Sequence, residues 1–245
     1  MHPAPRRASR RERDLVWRTL VARQMGAVRR GMAREFLDGL ERAGLDPTRM
    51  PRHGALSRSL ARVCGWRIET VPGLIPARDF FALLRDRRFP APDWIRHPRD
   101  LEYTPEPDAF HDLFGHVPQL ASASYVRVLE ALAARAHGAS DAELVRIERA
   151  YWFTIEFGLV RQDGDLRAMG AGLASSIAEL ERALHAGGVR RRAFSRRDAE
   201  REPFQSDRPQ ELYLVAPSLA DLGGLVGGQA AEAPPAAARR ARRAG

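Results

Sequence analysis

The stretch LEYTPEPDAFHDLFGHVP, residues 101–118, constrains this chain more than any other. It sets His111 and His116 five residues apart beside Asp108 and Asp112, with Gly115 just before the second histidine and Pro118 just after it. Five positions on an α-helix are separated by about 140°, against about 40° for four, so the imidazoles do not share a helical face as an HExxH pair does. They can still meet at one ion if the helix ends beside them. Gly115 supplies a permissive backbone for that ending, and Pro118 discourages continuation. A third ligand is offered by AYWFTIEFGLV, residues 150–160, whose single carboxylate, Glu156, sits in a mostly apolar run. An ionised glutamate in such a setting is costly unless it is paired or bound to a cation. Two histidines and one carboxylate make a facial triad that leaves positions open on Fe(II) for oxygen and a substrate. The same residues also fit a structural histidine pair with a half-exposed helix glutamate, or a zinc hydrolase, and spacing alone leaves these readings open.

The surrounding blocks carry a further signal. PEPDAFHDLFGHVP, YWFTIEFGL and MGAGLASSIAEL, in this order, resemble the signature blocks of the pterin-dependent aromatic amino acid hydroxylases. Weaker similarity runs through DLVWRTLVARQ near the start, VPGLIPARDFF (residues 71–81) and WIRHPRDLEYTPEPD (residues 94–108), so that the resemblance covers about residues 14–222. It implies Fe(II) held by His111, His116 and Glu156, a reduced tetrahydropterin as cosubstrate, and O2 as the oxidant. The family's pterin loop corresponds to Gly73, Leu74 and Ile75, which would contact the ring through the backbone, and to Phe80, which would stack on it. Asp112 and Tyr151 match residues on the pterin side of the metal. Arg96 and Thr104 match the residues that hold the amino-acid carboxylate, and Trp152, Gly172 and Ser175 match the amino-acid pocket. Ser175 also neighbours a ligating histidine in the family. A large aromatic at Trp152 and an apolar Val215 tilt the expected substrate toward L-phenylalanine, with tyrosine or tryptophan as the alternatives.

Composition narrows the rest. A chain of 245 residues can bury one sizeable core as a single domain. The resemblance implies a mainly α-helical fold with a few short β-strands and a monomeric state. No apolar run approaches the roughly 20 residues of a membrane span, residues 1–13 lack the apolar stretch of a secretory signal, and Cys64 is the lone cysteine, so the expected location is the cytoplasm. The net charge of +9 could suggest nucleic acid, yet residues 1–13 carry +4 and residues 228–245 carry +3, which leaves +2 for everything between. The excess belongs to two Arg-rich segments, residues 1–13 and 223–245, expected to be disordered around a catalytic domain at 14–222. No specific nucleic-acid partner is expected; the alternative, a basic binding protein acting through those segments, remains open.

Along the chain, apolar spacing of three and four predicts helix from Asp14 to about Leu45, read as an outer scaffold layer. A short helix over 56–63, a strand over 66–71, and a loop leading into a short helix at 72–81 follow. Residues 125–136 are amphipathic. Ser140 with Glu143, and Ser176 with Glu179, have the spacing of capping boxes, the first opening a helix that would carry Glu156 at its end. From Leu184 the chain reads as charged and irregular until a strand at 212–215.

Overall fold

The computed structural model describes residues 8–102, 104–204, 206 and 208–227. Helix α1 (Arg10–Gly31) starts inside the segment expected to be a tail, because Ser9 and Glu12 close a capping box on its first turn. It buries Val16, Trp17, Leu20, Val21, Gln24 and Val28. The single helix expected to reach Leu45 is instead two. Met32 and Ala33 are extended, Met32 bridges Ala168, and the Ala33 N–H donates to the Ala168 carbonyl at 2.8 Å, before α2 (Arg34–Ala43) resumes. A backbone pairing with a distant strand end thus interrupts a run whose periodicity alone reads as continuous. Helix α2 stops at Gly44, whose φ of 61° is a left-handed C-cap.

Helix α3 (His53–Val63) leads to β1 (Arg67–Val71), then α4 (Ala77–Arg85) and β2 (Arg88–Pro92), which pairs in parallel with β1 from Arg67↔Arg88 to Val71↔Pro92. After the histidine segment come α5 (Ala123–Ala136) and α6 (Asp141–Tyr151). Strands β3 (Leu159–Gln162) and β4 (Asp165–Ala168) form a hairpin, followed by α7 (Ala171–Ala174) and α8 (Ile177–His185).

The stretch expected to be irregular contains β5 (Arg190–Ala193) and α9 (Arg196–Arg201). Neither has an apolar rhythm. Strand β5 is an arginine-rich edge strand, and Arg191 turns inward to donate to the carbonyls of Arg182, Ala183 and Ala186 at the end of α8. The last elements are β6 (Leu212–Ala216) and α10 (Leu219–Gly227), the latter entering the second expected tail; residues 1–7 and 228–245 lie outside the described residues. The four-stranded sheet runs β4-β3-β6-β5, with β6 parallel to both neighbours. Among the described residues the fold is therefore mainly helical with short strands, the expected class.

The core centres on the site's reverse side. Trp17 packs edge-on against Phe110 (5.7 Å) and Phe114 (6.5 Å), and these two phenylalanines stack on each other at 4.9 Å. All three are essentially fully buried, so the backbone carrying the histidines is bolted to an aromatic cluster.

Candidate metal centre and cofactor cleft

The helix carrying the histidines does not end at Gly115, as the spacing suggested; it widens. Residues His111–His116 form a π-helical turn that rolls directly into a 3₁₀ turn, Val117–Ala121, and the Val117 N–H donates five residues back to the Asp112 carbonyl. The wider turn brings positions five apart round to the same side, which a regular α-helix would not do. Gly115 is needed for another reason: a Cβ there would lie 2.8 Å from the Ala171 carbonyl oxygen, so the turn seats directly on α7. Glu156 also sits on a π turn, Trp152–Glu156, closed by the Phe157 N–H to the Trp152 carbonyl at 2.9 Å. The MGAG segment clamps this second turn, since a Cβ on Gly170 would lie 2.0 Å from the Glu156 carbonyl oxygen and one on Gly172 2.7 Å from the Phe157 ring.

These two turns aim three ligand atoms at one point. His116 Nε2 lies 3.2 Å from His111 Nε2 and 3.1 Å from Glu156 Oε1, while His111 Nε2 lies 3.4 Å from Glu156 Oε2. Each histidine is oriented from behind. His111 Nδ1 is 3.0 Å from Ser175 Oγ, whose own proton goes to the Ala171 carbonyl at 2.9 Å; the hydroxyl therefore accepts from Nδ1–H, so that the neutral ring turns its Nε2 lone pair to the centre. His116 Nδ1 meets the Tyr125 hydroxyl at 3.1 Å. Tyr125 was not foreseen from sequence, where it is simply one apolar position of an amphipathic helix.

Burial disfavours a charged His111, but the Glu156 carboxylate outweighs it and holds the imidazole up at about 9. Burial also opposes ionisation of Glu156, yet His116 and His111 keep it well below the usual carboxylate range. His116 is pushed down by burial. Asp112, with Oδ1 4.0 Å from His111 Nε2, is pushed up to about 8 by burial. Two imidazoles and one low-lying carboxylate on one side, with a cleft on the other, fit a mononuclear ion with open positions.

All fourteen residues singled out from sequence border that cleft, of about 680 Å³. Phe80 meets Tyr151 edge-on at 5.2 Å, and Leu74, 72% exposed, stands at the rim. Thr104 donates its hydroxyl to the Glu106 carbonyl at 3.0 Å. Arg96 is not free to meet a ligand alone. Its Nε and Nη2 form a fork on Asp108 at 2.8 and 2.9 Å, and Asp108, fully buried, also accepts from the Arg96 and His111 backbone N–H groups. Asp108 thus ties Arg96 to the backbone of the first histidine. Helix α1, read from sequence as scaffold only, contributes Leu20, Arg23 and Gln24 to the wall, and α6 contributes Glu148, whose carboxyl is raised by burial and makes no side-chain hydrogen bond or ion pair among the described residues. A pure periodicity reading cannot see which helix face borders a cavity formed by other elements. The expected reciprocal arm of the second capping box is also absent: Ser176 Oγ accepts from Glu179 N–H at 3.4 Å, but the Glu179 carboxylate turns to the Gln210 N–H (2.8 Å) and the Tyr213 hydroxyl (2.7 Å).

Fold and site together define a helical enzyme domain built round a two-histidine, one-carboxylate metal centre in an aromatic-lined cleft. Residues 12–227 match the family of biopterin-dependent aromatic amino acid hydroxylases. The phenylalanine-4-hydroxylase of Pseudomonas aeruginosa is 39% identical over 204 residues, 83% of this chain and 78% of that protein. Tyrosine 3-monooxygenase of Rattus norvegicus is 36% identical over 89% of this chain but 45% of its own length. The crystal structure of Chromobacterium violaceum phenylalanine hydroxylase with iron(III) and 7,8-dihydrobiopterin superposes with a TM-score of 0.85 at 37% identity, covering 89% of this chain and 80% of that one. The chain belongs to the biopterin-dependent aromatic amino acid hydroxylase family. No helix among the described residues is long and apolar enough to cross a membrane.

Proposed function

We propose that this chain hydroxylates L-phenylalanine at the para position to give L-tyrosine, using O2 and a tetrahydropterin, with Fe(II) on His111, His116 and Glu156. The observation that carries this reading is the convergence of both Nε2 atoms and the Glu156 carboxylate on one point at the floor of a cleft. Bound there, iron and reduced pterin together supply the two-electron activation of O2 that the reaction needs. The chain's own part is placement. The Ser175 hydroxyl fixes the His111 tautomer, and the Tyr125 hydroxyl holds His116. Arg96, stiffened by Asp108, presents the rest of its guanidinium to the amino-acid carboxylate beside Thr104. Trp152, Gly172 and Ser175 enclose the substrate ring. Phe80, Tyr151 and the backbone of Gly73, Leu74 and Ile75 receive the pterin, with Asp112 beside it, and the closely packed walls keep water from the reacting atoms.

Tyrosine is the second reading, favoured by the similarity to the rat enzyme. Phenylalanine is preferred because Val215, half-buried on β6 and paired with Leu159, is apolar where the family's phenylalanine-preferring members are apolar. The test is product analysis after anaerobic protein, Fe(II), tetrahydropterin and L-phenylalanine are mixed and oxygen is admitted, with His111→Ala as control. Tyrosine formed only with pterin and intact His111 supports the proposal. Hydroxylation of tyrosine or tryptophan in its place refutes the substrate assignment, and no pterin oxidation with any of the three refutes the activity.

A further inference from the structure

Trp152 is held in the cleft by a residue that does not itself border it. Its indole lies between two rings, Phe157 at 4.8 Å with a 35° tilt and Phe204 at 4.3 Å with a 19° tilt. Stacking of this kind resists tilting but allows a ring to slide or turn in its own plane, because the attraction of two π faces is weakly directional. What fixes the in-plane direction is a hydrogen bond. Trp152 Nε1–H donates to Gln210 Oε1 at 3.0 Å.

Gln210 is suited to that task. It is 6% exposed, and its Nε2 donates to the Arg208 carbonyl at 3.3 Å, which orients Oε1 toward the indole. Its backbone N–H donates to Glu179 Oε1 at 2.8 Å and its carbonyl accepts from Arg182 Nε at 3.1 Å, so α8 holds it from two sides. The same Glu179 oxygen accepts from Tyr213 on β6 at 2.7 Å, which ties the helix, the strand and the residue between them into one buried network.

We propose that Gln210 is a positioning residue for amino-acid selection: through the Trp152 N–H it locks the in-plane setting of the indole that walls the substrate ring, four residues before the ligand Glu156. The inference rests on the functional reading above, in which Trp152 borders the amino-acid side of the cleft. With the lock removed, the indole gains alternative settings and the pocket loses its defined width. Discrimination between phenylalanine and the larger tryptophan then falls, while the pterin loop and Phe80 stand on other elements and both histidines keep their Ser175 and Tyr125 partners, so pterin and metal binding are untouched.

Gln210→Leu removes the acceptor at nearly constant volume and keeps the main-chain bonds to Glu179 and Arg182, so a thermal midpoint close to wild type is expected. Loss of one oriented hydrogen bond predicts a rise in KM for phenylalanine of about three- to tenfold and a similar fall in the phenylalanine-to-tryptophan ratio of kcat/KM. KM for the pterin and bound iron should not change. In a Trp152→Phe background, which has no indole N–H, the added Gln210→Leu should alter neither the KM nor the ratio further. Of the four indole N–H resonances in a ¹⁵N-labelled sample, that of Trp152 should move in Gln210→Leu and return toward its original position in Gln210→Glu, which restores an acceptor oxygen. An undiminished effect of Gln210→Leu in the Trp152→Phe background, an equal rise in pterin KM, or an unmoved Trp152 resonance would each overturn the proposal. Wild-type protein with no pterin-dependent turnover would instead overturn the functional reading, and the resonance, which needs no turnover, still decides whether Gln210 holds the indole.

Discussion

Metal binding to this site should release protons, and the amount follows from the charge arrangement. With no ion present, Glu156 is ionised and His111 is held protonated up to about 9, whereas His116 is pushed down by burial and contributes no proton at neutral pH. An imidazole must be neutral to bind a metal, so at pH 7 the ion displaces the His111 proton. Two pH units of displacement cost about 3 kcal/mol, roughly a hundredfold in apparent affinity. The sign is definite: the group is raised, so the penalty is absent above pH 9 and grows as pH falls below it, and affinity climbs at least about tenfold per unit between pH 6 and 8. Asp112, held protonated up to about 8, lies close enough to lose a second proton to the arriving charge. The assay is anaerobic calorimetric titration of metal-stripped protein with Fe(II) in buffers of differing ionisation enthalpy. Between one and two protons per ion are expected at pH 7, falling toward one in Asp112→Asn. An affinity flat from pH 6 to 8, with no proton released, would refute the reasoning.

Other expectations follow from close packing and pairing. Gly170→Ala would push a methyl against the Glu156 carbonyl at 2.0 Å, where backbone meets backbone and neither can swing away; metal content should fall and stability drop by about 1–3 kcal/mol, read by metal analysis and denaturant unfolding. Gly26→Ala, on α1 with only the tip of Arg30 at 3.6 Å, should instead stabilise by about 0.5–1 kcal/mol in the same unfolding assay. Arg96→Lys replaces the fork on buried Asp108 with a single point charge, so KM for the amino acid should rise with little change in KM for the pterin. Tyr213→Phe removes one of the donors to the Glu179 carboxylate and should cost about 1–3 kcal/mol of stability, measured as a shift in denaturant midpoint at constant slope.

Residue type offers the three candidate ligands, two histidines beside a proline-glycine break and one acid in an apolar run, but spacing leaves a structural pair or a zinc hydrolase equally open, and the resemblance of the surrounding blocks is what favours iron. The helices at 53–63, 123–136 and 141–151 are legible because apolar periodicity is a local signal, reinforced in the last two by the N-cap serines Ser122 and Ser140. The π turns are not. A spacing of five is compatible with a helix end, a loop or a widened turn, and only contact with α7 and the aromatic cluster of Trp17, Phe110 and Phe114 selects the last. Likewise β5 and α9 carry no apolar rhythm, since β5 is held by pairing with β6 and by arginine bonds to carbonyls at the end of α8.

The linear chain carries the chemical inventory: which side chains can bind a cation, which can grip a carboxylate, and which segments have the apolar spacing of a helix. Those properties depend on residue type and local period, which are written along the chain. Tertiary structure alone decided that Tyr125 and Ser175 orient the two histidines, that Asp108 has claimed one edge of Arg96, that α1 borders the cleft, and that Gln210 steadies Trp152 across 58 residues. Each of these is a partnership between distant segments, and a hydrogen bond of about 3 Å is a condition on three-dimensional distance that no one-dimensional spacing encodes.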